Sequence, residues 1–388
     1  MRRDTLPIWY SLRWVRGDQV PGESEVTLPL KWGISSLTFN DGRTVQLAEG
    51  AIAFVVGPNN SGKSAMLREI RERLTGGGRP IVLSDLRTFK DGTPEDLLQW
   101  LSPHRVASNM GNNAGQFAKL GGAPRGDGEL IAWWQGHGNG ALAACMVHYA
   151  AADSRLNTAN GAPLHDRRVN PPMHPLQVLY EDMSAEGRVS HAFEAAFRQA
   201  IFVDRTAGSS VSLRVGKKPT TRTADEVFSR ENLDATTAIP TLDTQGDGMR
   251  SFVGALLHAF IADWFVVLID EPEAFLHPPQ ANCLGKLLAE NNSQGQRIIA
   301  THSSDILRGA LNAAQAAITI IRLERVGDKN QARILEPSDI TAGVGSSSVA
   351  QTTPRSRRTR SRARAGAGQR PQSTARGAGG GSGGARRF

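Results

Sequence analysis

The sequence predicts an α/β fold assembled around a phosphate-binding loop, and three segments carry that prediction. Gly57-Pro58-Asn59-Asn60-Ser61-Gly62-Lys63-Ser64 satisfies G-x-x-x-x-G-K-[ST] at every fixed position, between an apolar strand-like run and a helical pattern. Trp264-Phe265-Val266-Val267-Leu268-Ile269 is an apolar run of strand length ending in Asp270-Glu271-Pro272-Glu273. Gln296-Arg297-Ile298-Ile299-Ala300 is another such run, and it ends in Thr301-His302-Ser303-Ser304-Asp305.

From about Trp9 to Leu47 the chain carries strand-like segments. Leu37-Thr38-Phe39 and Thr44-Val45-Gln46-Leu47 flank Asn40-Asp41-Gly42, which predicts a hairpin leading into the next strand. That strand holds Ile52, Phe54, Val55 and Val56. Beyond the loop, Met66, Leu67, Ile70 and Leu74 fall at helical spacing, and Gly76-Gly77-Gly78 can end the helix. A strand, a glycine-bearing loop and a helix N-terminus make a phosphate site by geometry. Backbone N–H groups converge on the anion, and the positive end of the helix dipole faces it. Lys63 is placed to reach the β- and γ-phosphates of a nucleoside triphosphate, and the Ser64 hydroxyl to hold Mg²⁺. A plain Gly/Ser/Asn turn is the alternative, and the flanking strand and helix argue against it.

Residues 84–240 read as an insertion between the two halves of this core, far longer than an ordinary connection. Its Ala-rich stretches, Gly140 to Ala152 and Val189 to Ile201, read as helices, without sustained heptads. His137, within Gly136 to Gly140, and the pair Trp133-Trp134 read as a glycine-rich loop beside a buried aromatic pair. Further on, Met249, Phe252, Val253, Leu256, Leu257 and Phe260 lie on one face of a helix. At the end of the acidic strand, Asp270 can hold the Mg²⁺ shell, while Glu271 reaches one residue further and can polarise an attacking water. Solvated acids at the end of a buried strand are the alternative, and the phosphate loop upstream weighs against it. His302 stands at the tip of the following strand, placed to sense the γ-phosphate.

Taken together, GPNNSGKS, LIDEPEAFLHP and ATHSSDIL resemble the phosphate loop, Mg²⁺/base strand and switch histidine of ABC-type ATPases. The DEPExxLHP form is similar to the OLD family (overcoming lysogenization defect) and its stand-alone AAA-type ATPase relatives. The resemblance covers the chain to about Leu74 and again from about Thr241 to Asp339. It implies ATP and Mg²⁺ as cofactors, an antiparallel β-subdomain, and a signature loop that contacts ATP held by a second protomer. Thr244-Gln245-Gly246-Asp247-Gly248 occupies that slot. The family's signature serine would align near Gly246, so the hydroxyl contact falls to Thr244 or is missing. A homodimer or higher homo-oligomer is the implied assembly. OLD nucleases carry a C-terminal metal-dependent nuclease (TOPRIM) domain with its own acidic cluster; an acid-free tail follows the last core strand here, so no such nuclease is expected. An ABC transporter subunit fits poorly, because 207 residues separate Lys63 from Asp270.

Charge divides along the chain. From Gly343 onward there are ten arginines and no acids; the rest of the 388 residues is near neutral, so the net charge of +8 belongs to that tail. Its Ser/Gly/Ala/Arg composition offers little to bury, which predicts disorder. It reads either as a nucleic-acid tether or as an incidental extension. The two cysteines, Cys145 and Cys283, lack metal or disulfide spacing and are expected reduced and buried. No signal peptide is visible after the charged start, and the apolar stretch from Phe252 to Ile269 is broken by His258 and Asp263, so no membrane span is expected.

The expected architecture is therefore a P-loop NTPase of the ABC-ATPase type in four parts. Residues 1–83 and 241–342 form the two halves of the ATPase domain, 84–240 a mainly helical insertion and 343–388 a disordered basic tail. The expected activity is Mg²⁺-dependent ATP hydrolysis in the cytoplasm, driving or gating a separate effector protein or a DNA transaction. By resemblance, such ATPases work in defence against phage or mobile DNA. A nucleotide-operated switch with little turnover and a recombination or repair ATPase are the alternatives.

Overall fold

The computed structural model describes residues 30–335, apart from 107–114, 137, 222, 224, 262, 291–294, 314–317 and 328. The segments expected before residue 30, His137, and the basic tail with its expected disorder lie outside the described residues. In chain order the elements begin with β1 (Lys31–Phe39), β2 (Thr44–Gln46), β3 (Ile52–Val56), α1 (Lys63–Leu74) and β4 (Leu83–Asp91). They continue through α2 (Pro94–Leu101), β5 (Arg105–Val106), β6 (Gln116–Phe117), β7 (Arg125–Gly126), α3 (Asp127–Gln135), α4 (Gly140–Met146) and β8 (Val147–Ala150). Next come α5 (Ser154–Thr158), β9 (Ala162–Pro163), α6 (Pro175–Glu181), α7 (Met183–Phe197), β10 (Ile201–Asp204), β11 (Ser210–Val215) and α8 (Arg230–Thr237). The last are α9 (Asp247–Phe260), β12 (Val266–Asp270), α10 (Pro278–Glu290), β13 (Gln296–Thr301), α11 (Ser304–Ala313), β14 (Ile318–Val326) and β15 (Lys329–Leu335).

The core is a six-stranded sheet in the order β15-β14-β3-β13-β12-β8, parallel throughout except for the antiparallel β14–β15 pair. Its strands are near-continuous apolar runs because helices or a second sheet cover both faces. Alternation along each strand divides the core in two. Ile52 and Phe54 of β3, Val267 and Ile269 of β12 and Ile299 of β13 pack with α9, α10 and α11. Ala53, Val55, Val266, Leu268, Ile298 and Ala300 pack on the other face with Met66, Leu67 and Ile70 of α1 and with the N-terminal sheet. Helix α9 carries the expected apolar face and buries Phe252, Val253, Leu256, Leu257 and Phe260, each worth roughly 1.5–3 kcal/mol when fully withdrawn from water.

The hairpin forms around Asn40-Asp41-Gly42, with Leu37 opposite Val45 and Gly42 in the left-handed region at φ 87. β4 pairs with the other side of β1, giving an antiparallel sheet in the order β2-β1-β4. One buried side chain joins this sheet to the core. Gln296, at the start of β13, accepts from Ile34 N at 2.7 Å and donates to Ile34 O and Ala48 O, both at 2.8 Å.

Residues 84–240 supply helices α2 to α8, and they also contribute most of β4 to the antiparallel sheet and β8 to the edge of the core sheet. The expected helix over Gly140 to Ala152 ends at Met146, and Val147–Ala150 is a strand. Its register against β12, Val147 to Val266 through Ala150 to Ile269, outweighs the local helix propensity of the alanines. The expected helix from Val189 likewise stops at Phe197, where Arg198 turns left-handed at φ 59, and Ile201 opens β10. Only Trp134 of the expected aromatic pair is buried, donating its indole N–H to Gly92 O at 3.1 Å; Trp133 is 36% exposed. Cys145 is buried and Cys283 half-buried, both as free thiols.

Candidate nucleotide-binding site

The order β3-β13-β12 brings the carboxyl ends of three separate chain segments side by side, with Val56 in register with Thr301 and Ala300 with Asp270. The phosphate loop follows β3, His302 follows β13, and Asp270 and Glu271 close β12. The expected loop, acid and histidine positions are therefore neighbours along one edge of the sheet.

The loop residues Gly57, Pro58, Asn59, Asn60, Ser61 and Gly62 lead directly into α1, which starts at Lys63 and has no acidic residue in its first turn. Gly57 (φ 155), Asn60 (φ 64) and Gly62 (φ 97) take positive φ, which lets the backbone fold back on itself. A Cβ at Gly57 would lie 2.1 Å from Leu323 O of β14, so the loop also abuts the neighbouring strand. Lys63 Nζ donates to Gly57 O at 2.9 Å and Pro58 O at 3.0 Å. Burial lowers its pKa, opposed by the carboxylates of Glu271, Glu273 and Asp270. The buried Ser61 hydroxyl has no hydrogen-bond partner among the described residues.

Ser64 and Asp270 meet directly. Ser64 Oγ donates to Asp270 Oδ1 at 2.9 Å, across 206 residues of chain. Tyr149, on β8, donates its phenol to Asp270 Oδ2 at 3.3 Å. Burial raises the Asp270 pKa, the Ser64 bond counters it and Glu271 adds to it. Tyr149 is pushed up to about 12, by burial and then by the Asp270 carboxylate.

Glu271 stands just past β12 with φ 44, a left-handed backbone at a residue with a Cβ, at a cost of roughly 1–2 kcal/mol. Its N–H donates to Ala300 O at 2.8 Å. His302 Nδ1 lies 3.1 Å from Glu273 Oε1 and 3.6 Å from Glu271 Oε1, and its backbone N–H donates to Glu273 Oε1 at 2.9 Å. Glu273 is buried, Glu271 half-buried and His302 exposed, so the histidine is held from below and open from above.

The loop expected to act in trans lies at the head of α9. Thr244 and Gln245 end a short 3-10 turn, Gly246 is the N-cap, and Asp247 and Gly248 open the helix. Thr244 Oγ1 donates to Thr241 O at 2.7 Å, so its hydroxyl is engaged within its own turn. Among the described residues, no hydrogen bond or ion pair joins Thr244 to Gly248 with the phosphate loop of the same chain. A Cβ at Gly248 would lie 2.9 Å from Phe275 O, and Ser251 Oγ donates to Ala274 O at 2.7 Å, so this helix start rests on the turn after Glu271.

Sequence reasoning assigned no role to four residues that shape the site. Arg155, on α5, is buried and donates Nη1 to Asp270 O and Nη2 to Glu271 O, each at 2.5 Å. Burial lowers its pKa against the pull of Glu273, Asp270 and Glu271. Asn330 of β15 donates Nδ2 to Ser61 O at 2.6 Å and receives support from Asn40 Oδ1, which accepts its backbone N–H at 2.8 Å. Tyr149 and Glu273 complete the set. Only Glu273 had a local signal, as the third acid of DEPE; the others reach the site through tertiary structure. The donor set suits a hydrated divalent cation beside a phosphate: a hydroxyl and a carboxylate as hard oxygen ligands, an ammonium, and an unpaired loop hydroxyl.

A family model described as "AAA domain, putative AbiEii toxin, Type IV TA system" matches residues 178–308, about a third of the chain. That span contains Asp270, Glu271 and His302 and leaves the phosphate loop outside. No curated protein matches the chain. Among solved structures, the chain is similar to an Smc head bound to the C-winged helix domain of ScpA, at 13% identity over 80% of this chain and 99% of that one, with a TM-score of 0.48. The SMC head domain from Thermotoga maritima is similar at 16% identity over 79% and 99%, with a TM-score of 0.39. An ATP-binding cassette of an ABC transporter in its ADP conformation is similar at 11% identity over 82% and 95%, with a TM-score of 0.34.

Proposed function

We propose that the chain binds ATP at the Gly57–Ser64 loop and hydrolyses it in a Mg²⁺-dependent reaction. The observation that carries this reading is the 2.9 Å bond between Ser64 Oγ and Asp270 Oδ1, which joins the two hard-oxygen donors that the cation needs. Mg²⁺ held there would offset charge on the β- and γ-phosphate oxygens. Lys63 supplies a second positive charge at the loop. Glu271 accepts the proton of the attacking water, and His302, braced by Glu273, orients the γ-phosphate end of the site.

Assembly and biological role follow by resemblance. Thr244 to Gly248 would contact ATP held by a second copy of the chain, and the resulting dimer would gate a separate effector in defence against phage or mobile DNA. The internal bond from Thr244 Oγ1 to Thr241 O favours a second reading, a nucleotide-operated switch with little turnover.

Equilibrium binding of a fluorescent ATP analogue and a phosphate-release assay, each with Mg²⁺ or with EDTA, test the proposal. Lys63→Ala is expected to abolish analogue binding or weaken it severely, and unchanged affinity would remove the loop from the site. Asp270→Asn is expected to bind the analogue but lose the Mg²⁺ dependence of turnover. Wild-type protein that binds ATP and releases no phosphate would leave the switch reading in its place.

A further inference from the structure

Arg155 is a fully buried guanidinium with no carboxylate ion-pair partner among the described residues. Its two terminal nitrogens instead hold consecutive carbonyls, Asp270 O and Glu271 O, at 2.5 Å each. Those carbonyls flank the Glu271 Cα. Pinning both fixes the φ and ψ of Glu271, the one residue of the acidic pair whose backbone is left-handed. The platform beneath Arg155 is itself anchored to α9. Arg250 Nη2 donates to Leu156 O at 3.3 Å and to Asn160 Oδ1 at 3.0 Å, and Thr158 Oγ1 is 2.8 Å from His258 Nε2. The backbones of α5 and α9 touch: a Cβ at Gly254 would lie 2.3 Å from Arg155 O.

We propose that Arg155 is the positioning residue of Glu271. By clamping the carbonyls on either side, it holds the left-handed backbone that turns the Glu271 carboxylate toward His302. This rests on the proposed role of Glu271 in hydrolysis. Because α5 rides on the helix that begins with Asp247 and Gly248, the clamp also ties the Glu271 backbone to the segment proposed to meet a second protomer.

The test is a double-mutant cycle on the full chain, reading phosphate release and fluorescent ATP-analogue affinity in parallel. Arg155→Lys keeps the charge but loses the fork. It is expected to slow turnover by about 10- to 100-fold, the scale of a misplaced catalytic group, with analogue affinity within about threefold of wild type. In a Glu271→Gln background, Arg155→Lys should cost nothing further, because the residue acts through Glu271. A further loss in that background, or parallel losses of affinity and turnover, would mark Arg155 as a general structural residue and overturn the inference. Wild-type turnover in Arg155→Lys beside a slow Glu271→Gln overturns the clamp alone, whereas wild-type turnover in Glu271→Gln removes the underlying reading of Glu271. If Arg155→Lys does not fold, Arg155→Gln, which buries no charge, takes its place. Failure of both to fold also counts against the proposal.

Discussion

At the residue scale, the site sets two adjacent acids in different surroundings. Asp270 is half of a hydroxyl–carboxylate pair and sits deep, while Glu271 is turned out by its left-handed backbone toward His302. Glu271→Gln keeps the shape and removes the proton acceptor. We expect it to bind the ATP analogue as wild type does and to hydrolyse ATP roughly 10²-fold or more slowly; single-turnover phosphate release measures this, and an undiminished rate would exclude Glu271 as the base. The residues gathered at this edge of the sheet that stand within one short segment were legible in the sequence. Lys63, Ser64, Asp270, Glu271 and His302 each sit in a local pattern whose spacing has a mechanical reason. Arg155, Tyr149 and Asn330 were not, because they act on residues 115, 121 and 269 positions away, and nothing about their immediate neighbours marks them.

At the scale of elements, the phosphate loop depends on a strand that carries no motif. β15 presents Asn330 to Ser61 O, and the turn of the N-terminal hairpin holds β15 in turn through Asn40 and through Asp41 Oδ2, which accepts from Ala332 N at 3.0 Å. Asn330→Ala would leave a buried carbonyl without its donor, a loss of about 1–3 kcal/mol. Thermal unfolding should show the destabilisation and analogue binding a weakened affinity; an unaltered loop affinity would mean that Gly57 to Gly62 hold their shape without β15. Element type was read correctly where the hydrophobic period was long, as in α9 and β12, and misread at Val147 to Ala150. There four residues of strand follow an Ala-rich helix directly, and only pairing with β12 decides their conformation. The same pairing puts Tyr149 beside Asp270.

At the scale of the whole molecule, a buried histidine, His258, and the half-buried His148 stacked on it set a pH limit on the fold. His148 Nε2 lies 2.6 Å from His258 Nδ1, and His258 Nε2 lies 2.8 Å from Thr158 Oγ1, whose hydroxyl donates to Ser154 O at 3.1 Å. This chain runs in one direction, His148 to His258 to Thr158, and needs the His258 ring neutral, since its Nδ1 must accept. Burial, with Lys119 and Arg71 nearby, lowers the His148 pKa from 6.5 to about 4. Burial also lowers that of His258, helped by His148, Arg155 and His174. Both groups take up protons more readily when unfolded, so stability is complete above about pH 6.5 and falls as pH drops toward 4. His148 alone accounts for on the order of 3 kcal/mol across that window. Melting curves between pH 7 and 4.5 should show the decline, and His148→Gln should flatten it; an equal slope in the variant would place the acid sensitivity elsewhere.

The meeting of Asn40 with Asn330, 290 residues apart, has a consequence for how the protein is made. A nascent chain that has emerged only through α11 already carries the loop, the acidic strand and the histidine, yet lacks both β14 and β15, the strand whose carbonyl abuts Gly57 and the strand whose amide closes Ser61. Such long-range closure comes late because loop entropy must be overcome before the contact forms. The Gly57 to Gly62 loop would then gain its last supports in one step, when the β14–β15 hairpin joins the sheet, and a nascent chain that stops short of that hairpin would carry the loop without them.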